Sequence, residues 1–287
     1  MIGFNRLGSY GRFGNQMFQY AALRGIAANN NLDWCIPPKD TPSCDNYGLF
    51  DAFKLKNLKN VGFVNGPTYD EPGYDFDQQL FNNCPDNINI HGFRQTEKYF
   101  ANIKQSIRED FEFRDEIYEP CKSFMQQFDE SIIFLHVRRG DAVGLPDWYP
   151  RPTMDHIQFT LEKHFSNNQP VLICSDDIDW VRTQKFFNTD RFYFSEKRVY
   201  YRESNSERDL IPFFDLCLMS MCNGAIIANS TLSWWGAWLQ KNSNKKIIAQ
   251  SPWYGEKLSH LNTKDLIPKT WIIEPISNNR TTVGGRH

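Results

Sequence analysis

The sequence predicts two α/β domains, each built on a parallel sheet with helices on both faces. Short apolar runs alternate with stretches of helical period, the pattern of βαβ units. Glycine-rich or charged turns follow several of those runs. The 287 residues suffice for two modest domains at roughly 100–200 residues each. The boundary is expected between Phe113 and Glu130, giving units 1–128 and 129–287.

In order, Met1 to Leu7 reads as a first strand, ending in the turn Gly8-Ser9-Tyr10-Gly11-Arg12-Phe13-Gly14. A helix follows from Asn15 to Ala28, with Met17, Tyr20, Ala21 and Ala28 on one face. Leu32 to Ile36 is a second strand. Residues 37–87 are rich in Pro, Asn, Asp and Gly and read as irregular with short elements. Asn87 to Phe93 is a strand and Thr96 to Asp110 a helix. The second half is more regular. Strands are expected at Ser131–Val137, Val171–Ser175, Phe192–Phe194, Ala225–Ala228 and Lys246–Ala249. Helices are expected at Met154–Phe165, Asp179–Phe187 and Leu232–Gln240. Leu210, Phe213, Phe214, Cys217, Leu218 and Met221 keep helical spacing, which predicts an amphipathic helix. The polar tail, Ser277 to His287, should fray.

Composition narrows the function. Apolar residues make up 40% and charged residues 23%, as in ordinary globular chains. A net charge of −2 argues against nucleic acid as the partner. No apolar run approaches the roughly 18 residues of a membrane span, and the N-terminus lacks the order of a signal peptide. An integral membrane segment is therefore not expected, peripheral association with a membrane surface stays open, and a cytoplasmic location fits best. Seven cysteines without a CxxC pair suit reduced thiols better than a disulfide framework or zinc site. Asn229 and Asn279 head N-x-S/T sequons, read as chance matches. The sequence sets no oligomeric state.

Four segments follow predicted strands and should gather at one crevice, because ligands of open α/β sheets bind at the carboxyl ends of strands. Gly11-Arg12-Phe13-Gly14-Asn15-Gln16 places backbone N–H groups at a helix start, which suits an anion. It is equally a tight turn with a cap, and is neither GxGxxG nor a P-loop. His136-Val137-Arg138-Arg139-Gly140-Asp141 ends the most apolar strand. Planar guanidinium forks there suit a diphosphate; a solvated surface pair is the plainer alternative. Ser175-Asp176-Asp177 could bind a ribose or base, or simply cap a helix. Asp177 and Asp179 are the only hint of a metal site, and no acidic cluster or His pair reinforces them. Asp215, on the helical-period segment, faces a boundary of that helix. Asn229-Ser230-Thr231-Leu232-Ser233 brings hydroxyls and a helix start to the same crevice, while Trp234, Trp235 and Trp238 read as packing residues.

The runs Gly11 to Tyr20, Gly92 to Phe100, His136 to Asp141, Ser175 to Asp177 and Asp215 to Leu239 together resemble the α-1,2-fucosyltransferase family, glycosyltransferase family 11, and occur in its order. The resemblance implies a GT-B fold with two Rossmann-like domains facing a central cleft. The first domain would hold mainly the acceptor and the second the nucleotide sugar. It implies GDP-fucose as co-substrate, a glycan acceptor, inversion at the anomeric carbon and no metal or other cofactor. By that similarity Arg138 and Arg139 would hold the diphosphate and fucose, His136 would support the nucleotide, and Asp215 would pair with guanine. Asn229, Ser230, Thr231 and Ser233 would bind phosphate, with Asp176 also on the donor side. Gly14 and Asn15 would approach the donor from the first domain. The family often has an aromatic residue after Asp141, where this chain has Ala142. Asp147 and Asp141 are the candidates for general base, Asp141 being better suited to orient an arginine. Two rivals are a metal-dependent transferase of another donor class and a non-catalytic glycan-binding protein.

Overall fold

A computed structural model describes residues 1–42, 48–128, 132–195, 200–201, 207–208 and 211–276. The tail from 277 and Asn279 lie outside them.

The first half contains strands β1 (Ile2–Gly3), β2 (Trp34–Cys35), β3 (Thr68–Tyr69) and β4 (Asn89–Ile90). Its helices are α1 (Phe13–Asn29), α2 (Leu49–Ala52), α3 (Gln78–Asn82) and α4 (Lys104–Asp110). The four strands form a parallel sheet in the order β2-β1-β4-β3. Each strand is only two residues long, shorter than the sequence pattern suggested. After β1 the chain turns back at Leu7, whose N–H donates to Phe4 O, and passes Gly8 at φ 92°. The helix expected from Thr96 to Asp110 is broken. A 3₁₀ segment, Glu97–Ile103, kinks at Phe100 before α4 begins. The 3₁₀ segment lies hard against α1: a Cβ on Gly25 would stand 1.8 Å from Tyr99 O.

The second half contains α5 (Asp115–Met125), β5 (Ile133–Val137), α6 (Gly140–Val143), α7 (Met154–His164), β6 (Val171–Ser175), α8 (Ile178–Arg182) and β7 (Phe192–Phe194). A ribbon of β8 (Tyr200–Tyr201) and β9 (Glu207–Arg208) precedes α9 (Ile211–Met221), β10 (Gly224–Ile227), α10 (Thr231–Leu239), β11 (Lys246–Ser251) and β12 (Ile272–Pro275). Six strands form a parallel sheet in the order β12-β11-β10-β5-β6-β7. The chain runs outward from β5 to β7, then returns to β10 on the other side of β5. The strand order therefore reverses between β5 and β10, the place where doubly wound sheets bind ligands.

Side chains alternate across this sheet. Ile133, Leu135, Val137, Val171 and Ile173 join one core cluster, while Phe134, Leu172 and Cys174 join another. The second cluster is continuous with the core of the first half through α1, α9 and α10. The six described cysteines are buried and form no disulfide; Cys44 lies outside the described residues.

Among the elements not foreseen are α5 and β12. The helix α5, which carries Pro120, falls in the stretch read as the domain boundary; its Ile117 and Cys121 are buried, and Cys121 Sγ donates to Phe214 O of α9. Covered by α5 on one side and α10 on another, α9 is not amphipathic: Phe213 to Met219 are all buried. The edge strand β12 has exposed Ile272 and Ile273 and no period-2 polar face to announce it.

Aromatic rings join the halves. Trp235 stacks on Phe100 at 5.3 Å and meets Phe111 edge-on at 5.2 Å and Phe18 at 4.9 Å. Its indole N–H donates to Gly14 O at 3.1 Å. At the other end of α10, Arg108 of α4 lies 4.4 Å over Trp238 and donates to the carbonyls of Leu239 and Trp238, and Lys245 adds three more bonds to late carbonyls. Cations there complement the helix dipole. Trp235→Ala is expected to cost about 3–5 kcal/mol in urea unfolding; a loss below about 1 kcal/mol would contradict a joint of this kind.

Candidate functional site

A cleft of about 750 Å³ lies between the two sheets, within the usual range of ligand sites, about 300–1,000 Å³. Arg12, Gly14, Asn15, Glu71, Tyr74 and Gln95 line it from the first half. His136, Arg138, Asp176, Asn229, Ser230 and Thr231 line it from the second.

Its base is set by two helix starts. Arg12 precedes α1 and Ser230 precedes α10; neither helix has a side-chain cap or an acid in its first turn. Orphan N–H groups and two dipole ends therefore point at one place, a setting that favours an anion. The starts nearly touch. A Cβ on Gly14 would lie 2.5 Å from Thr231 Oγ1 and 2.8 Å from Leu232 N, so only glycine permits this approach. Asn15 Oδ1 accepts from Gln95 Nε2 at 2.8 Å, which ties the α1 start to the run after β4.

The two arginines leave β5 in opposite directions. Arg138 crosses the strand-order reversal and donates to Asn229 O at 2.7 Å. Its other terminal nitrogen donates to both oxygens of Asp141, at 3.0 and 3.2 Å, and the guanidinium lies 4.7 Å over Tyr149. Arg139 turns toward β6. Its Nε donates to Asp177 Oδ2 at 2.9 Å, and its guanidinium sits 3.5 Å from the Trp180 ring centre. Asp176 accepts from Arg139 N at 2.7 Å. Arg138 lines the main cleft, whereas Arg139 lines a side pocket behind it. Asp177 caps α8 by accepting from Trp180 N. Among the described residues no three His, Cys, Asp or Glu side chains converge as a metal site.

The remaining expected residues divide. Asn229 is tied by its amide nitrogen to Pro252 O at 2.9 Å. Ser233 is fully buried, donating to Ala228 O and Ser230 O, and does not line the cleft. Asp215 is also buried, beneath the second-half wall, where it accepts the Ser195 hydroxyl. Asp147 is exposed and outside the cleft lining; its backbone O accepts from Lys257 N at 3.1 Å. The Asp141 carboxyl stays below the usual range: Arg138 and Arg12 outweigh the burial that would raise it.

Sequence reading missed Glu71, Tyr74 and Tyr254. Glu71 accepts from Phe93 N at 2.7 Å and Arg94 N at 2.9 Å; burial nonetheless raises its carboxyl above the ordinary value. Tyr74 and Tyr254 share a hydrogen bond of 2.6 Å across the cleft. The run Gly92 to Gln95 was the available signal, since Glu71 serves its backbone and Gln95 serves Asn15.

Comparison with solved structures gives the same two-sheet plan. The fucosyltransferase NodZ from Bradyrhizobium matches with a TM-score of 0.54 at 15% identity, over 82% of this chain and 90% of that one. POFUT1 in complex with GDP-fucose matches with 0.53 at 13%, over 86% and 96%. The fold is thus that of GT-B glycosyltransferases, as the motifs led one to expect. More narrowly, the chain belongs to glycosyl transferase family 11, whose model matches residues 2–274. An α-1,2-colitosyltransferase of Escherichia coli is 26% identical over 91% of this chain and 96% of its own length. Galactoside α-(1,2)-fucosyltransferase 1 of Alouatta caraya is 26% identical over 80% of this chain and 63% of its own. No helix among the described residues is long and apolar enough to cross a membrane.

Burial, with Arg138 nearby, holds the His136 imidazole down at about 3, against about 6.5 in an unfolded chain. The unfolded state therefore binds the extra proton. Stability from this source is complete above about pH 6.5 and falls toward pH 3, at up to about 1.4 kcal/mol per unit. His136→Gln is expected to flatten that slope between pH 6.5 and 4 in urea titrations; an unchanged slope would show that His136 does not set it.

Proposed function

We propose that this enzyme transfers L-fucose from GDP-fucose to a hydroxyl of a glycan acceptor, O2 of a galactoside, with inversion and without a metal. The observation that carries this is the meeting of the α1 start, the α10 start and Arg138 at the strand-order reversal. A diphosphate seated there would meet N–H donors from both halves and one guanidinium fork. As the bond to the sugar breaks, charge grows on the leaving GDP. Those donors are fixed in advance, so they stabilise the transition state without reorganisation.

The guanine reading rests on Asp215. A purine presenting N–H groups there would take the place of the Ser195 hydroxyl and pair with the carboxylate, whereas a base without those groups would leave Asp215 on Ser195 and gain nothing from it. Asp141 holds Arg138 in place, and Asp177 with Trp180 holds Arg139, which we assign to the sugar side. The acceptor occupies the first-half wall, beside Tyr74 and Glu71. Of the carboxylates lining the cleft, Glu71 is the one on that wall, and we assign to it the proton lost by the attacking hydroxyl. Asp147, outside the cleft lining, is replaced in that role.

Calorimetry is expected to show GDP binding at least tenfold tighter than UDP or ADP; equal affinity for UDP would sink the donor assignment. Turnover on GDP-fucose and simple galactosides should survive EDTA, and Arg138→Lys should lower it about 10²–10³-fold, the usual loss of one preorganised donor. Strict Mn²⁺ dependence would count against the mechanism. A second pair of variants addresses the base. Glu71→Gln is expected to lose about 10²–10⁴ in kcat with GDP affinity kept, while Asp147→Asn stays within threefold. The reverse pattern would return the role to Asp147.

A further inference from the structure

Behind Arg138 a side pocket of about 30 Å³ opens off the cleft, sharing His136, Arg138, Tyr149 and Asn229 with it. Four of the residues lining it each carry a buried polar atom without a hydrogen-bond partner among the described residues. These are His136 Nδ1, Asn229 Oδ1, Gln250 Oε1 and Arg151 Nε. His136, Asn229 and Gln250 are 7%, 6% and 3% exposed. Buried polar groups are ordinarily matched, so four unmatched ones around one pocket point to an occupant.

The chemistry of the four selects its class. The amide oxygens of Asn229 and Gln250 only accept, a guanidinium N–H only donates, and a neutral imidazole nitrogen does one or the other. A phosphate, which only accepts, leaves both amide oxygens unmet. A cation would stand against Arg151. Hydroxyl groups donate and accept at the same oxygen and satisfy the whole set. The other walls, Ala142, Pro150 and Ile157 among them, suit C–H groups between hydroxyls. The pocket has room for roughly two water-sized groups, hence for one hydroxyl-bearing edge of a sugar ring and not for the whole ring.

Arg151 is also distinct among the arginines here. Arg138 and Arg139 are matched to Asp141 and Asp177, whereas no described carboxylate pairs with Arg151. We propose that this pocket is the subsite that reads the hydroxyl pattern of the donor sugar, with Gln250 and Arg151 as its specificity-determining residues. This rests on the GDP-sugar reading given above. The pocket shares Arg138, His136, Tyr149 and Asn229 with the cleft, so a sugar attached to a diphosphate at the helix starts would have its edge within reach of it. A site that hydrogen-bonds a hydroxyl rejects the analogue lacking it, which gives the pocket a means to separate fucose from colitose, its 3-deoxy counterpart, and from other deoxy forms.

The test is calorimetry of wild type, Gln250→Leu and Arg151→Gln with GDP, GDP-fucose and its 2-, 3- and 4-deoxy forms. In wild type, at least one deoxy form is expected to bind tenfold or more weakly than GDP-fucose. In the variants that penalty should shrink to within twofold, while GDP affinity and thermal midpoint stay near wild type. Should Gln250→Leu fail to fold, Arg151→Gln, half-buried beside the cleft, carries the same comparison. A wild-type protein that fails to bind GDP-fucose overturns the donor reading and the subsite together. Normal GDP-fucose binding with deoxy penalties absent, or unchanged in the variants, overturns the subsite alone and leaves the pocket to water.

Discussion

The contact between α10 and the first half is the constraint on which the site depends. Gly14 against Thr231 brings the two helix starts as close as backbone atoms allow, and the Trp235 indole fixes the spacing by bonding Gly14 O. The same helix is held at its far end by Arg108 and Lys245. Aromatic pairs contribute beyond the area they bury, with ring centres at about 4.5–7 Å, and several such pairs meet around Trp235. The joint between the halves and the base of the cleft are therefore one piece of packing. Strands of two residues in the first sheet leave that half dependent on it, since short ladders carry little stability alone.

Electrostatics on the second-half wall follow a consistent rule: the arginines of the β5 end are oriented by carboxylates before any ligand arrives. Asp141 grips both terminal contacts of one Arg138 nitrogen, leaving the other across the reversal on Asn229 O. Asp177 and the Trp180 face hold Arg139 from below and beside. Planar forks held in this way lose less freedom on meeting an anion than free side chains would. The carboxylates thus shape the site without facing the ligand, which explains why acids sit so close to a place suited to phosphate.

Apart from the edge strand β12, the second sheet was legible in the sequence because its strands are apolar runs of three to six residues with turn signals after each, and β6 and β7 fall where the pattern put them. The motif at β5 and the run after β10 were legible for the same reason: they follow strong strands. The first sheet was faint, since two-residue strands leave no period to read. The helical spacing from Phe213 to Met221 was real, but spacing cannot say what lies on the polar side. Here α10 lies there, with Gly236 close against Met219, while α5, its Pro120 an obstacle to reading it as a helix, meets the apolar stripe at Phe214. Asp215 and Ser233 were singled out as donor-side residues; both face inward, to the Ser195 hydroxyl and to backbone carbonyls. Glu71 and Tyr74 come from the irregular 37–87 stretch, where no periodicity marks a side chain as facing anything; only folding onto Gly92 to Gln95 gives them a place.

The shared packing at Gly14 and Trp235 also affects how variation in this chain should be interpreted. A residue that supports the joint and a residue that lines the cleft sit within a few positions of each other on α10. Loss of activity on random substitution there will not separate the two, and survey data ranked by activity alone will draw the boundary of the site too wide. Inheritance follows the same logic: changes on the two facing helix starts must be accepted jointly or not at all, so α1 and α10 should drift as a pair, while the rim of the cleft stays free to diversify toward new acceptors.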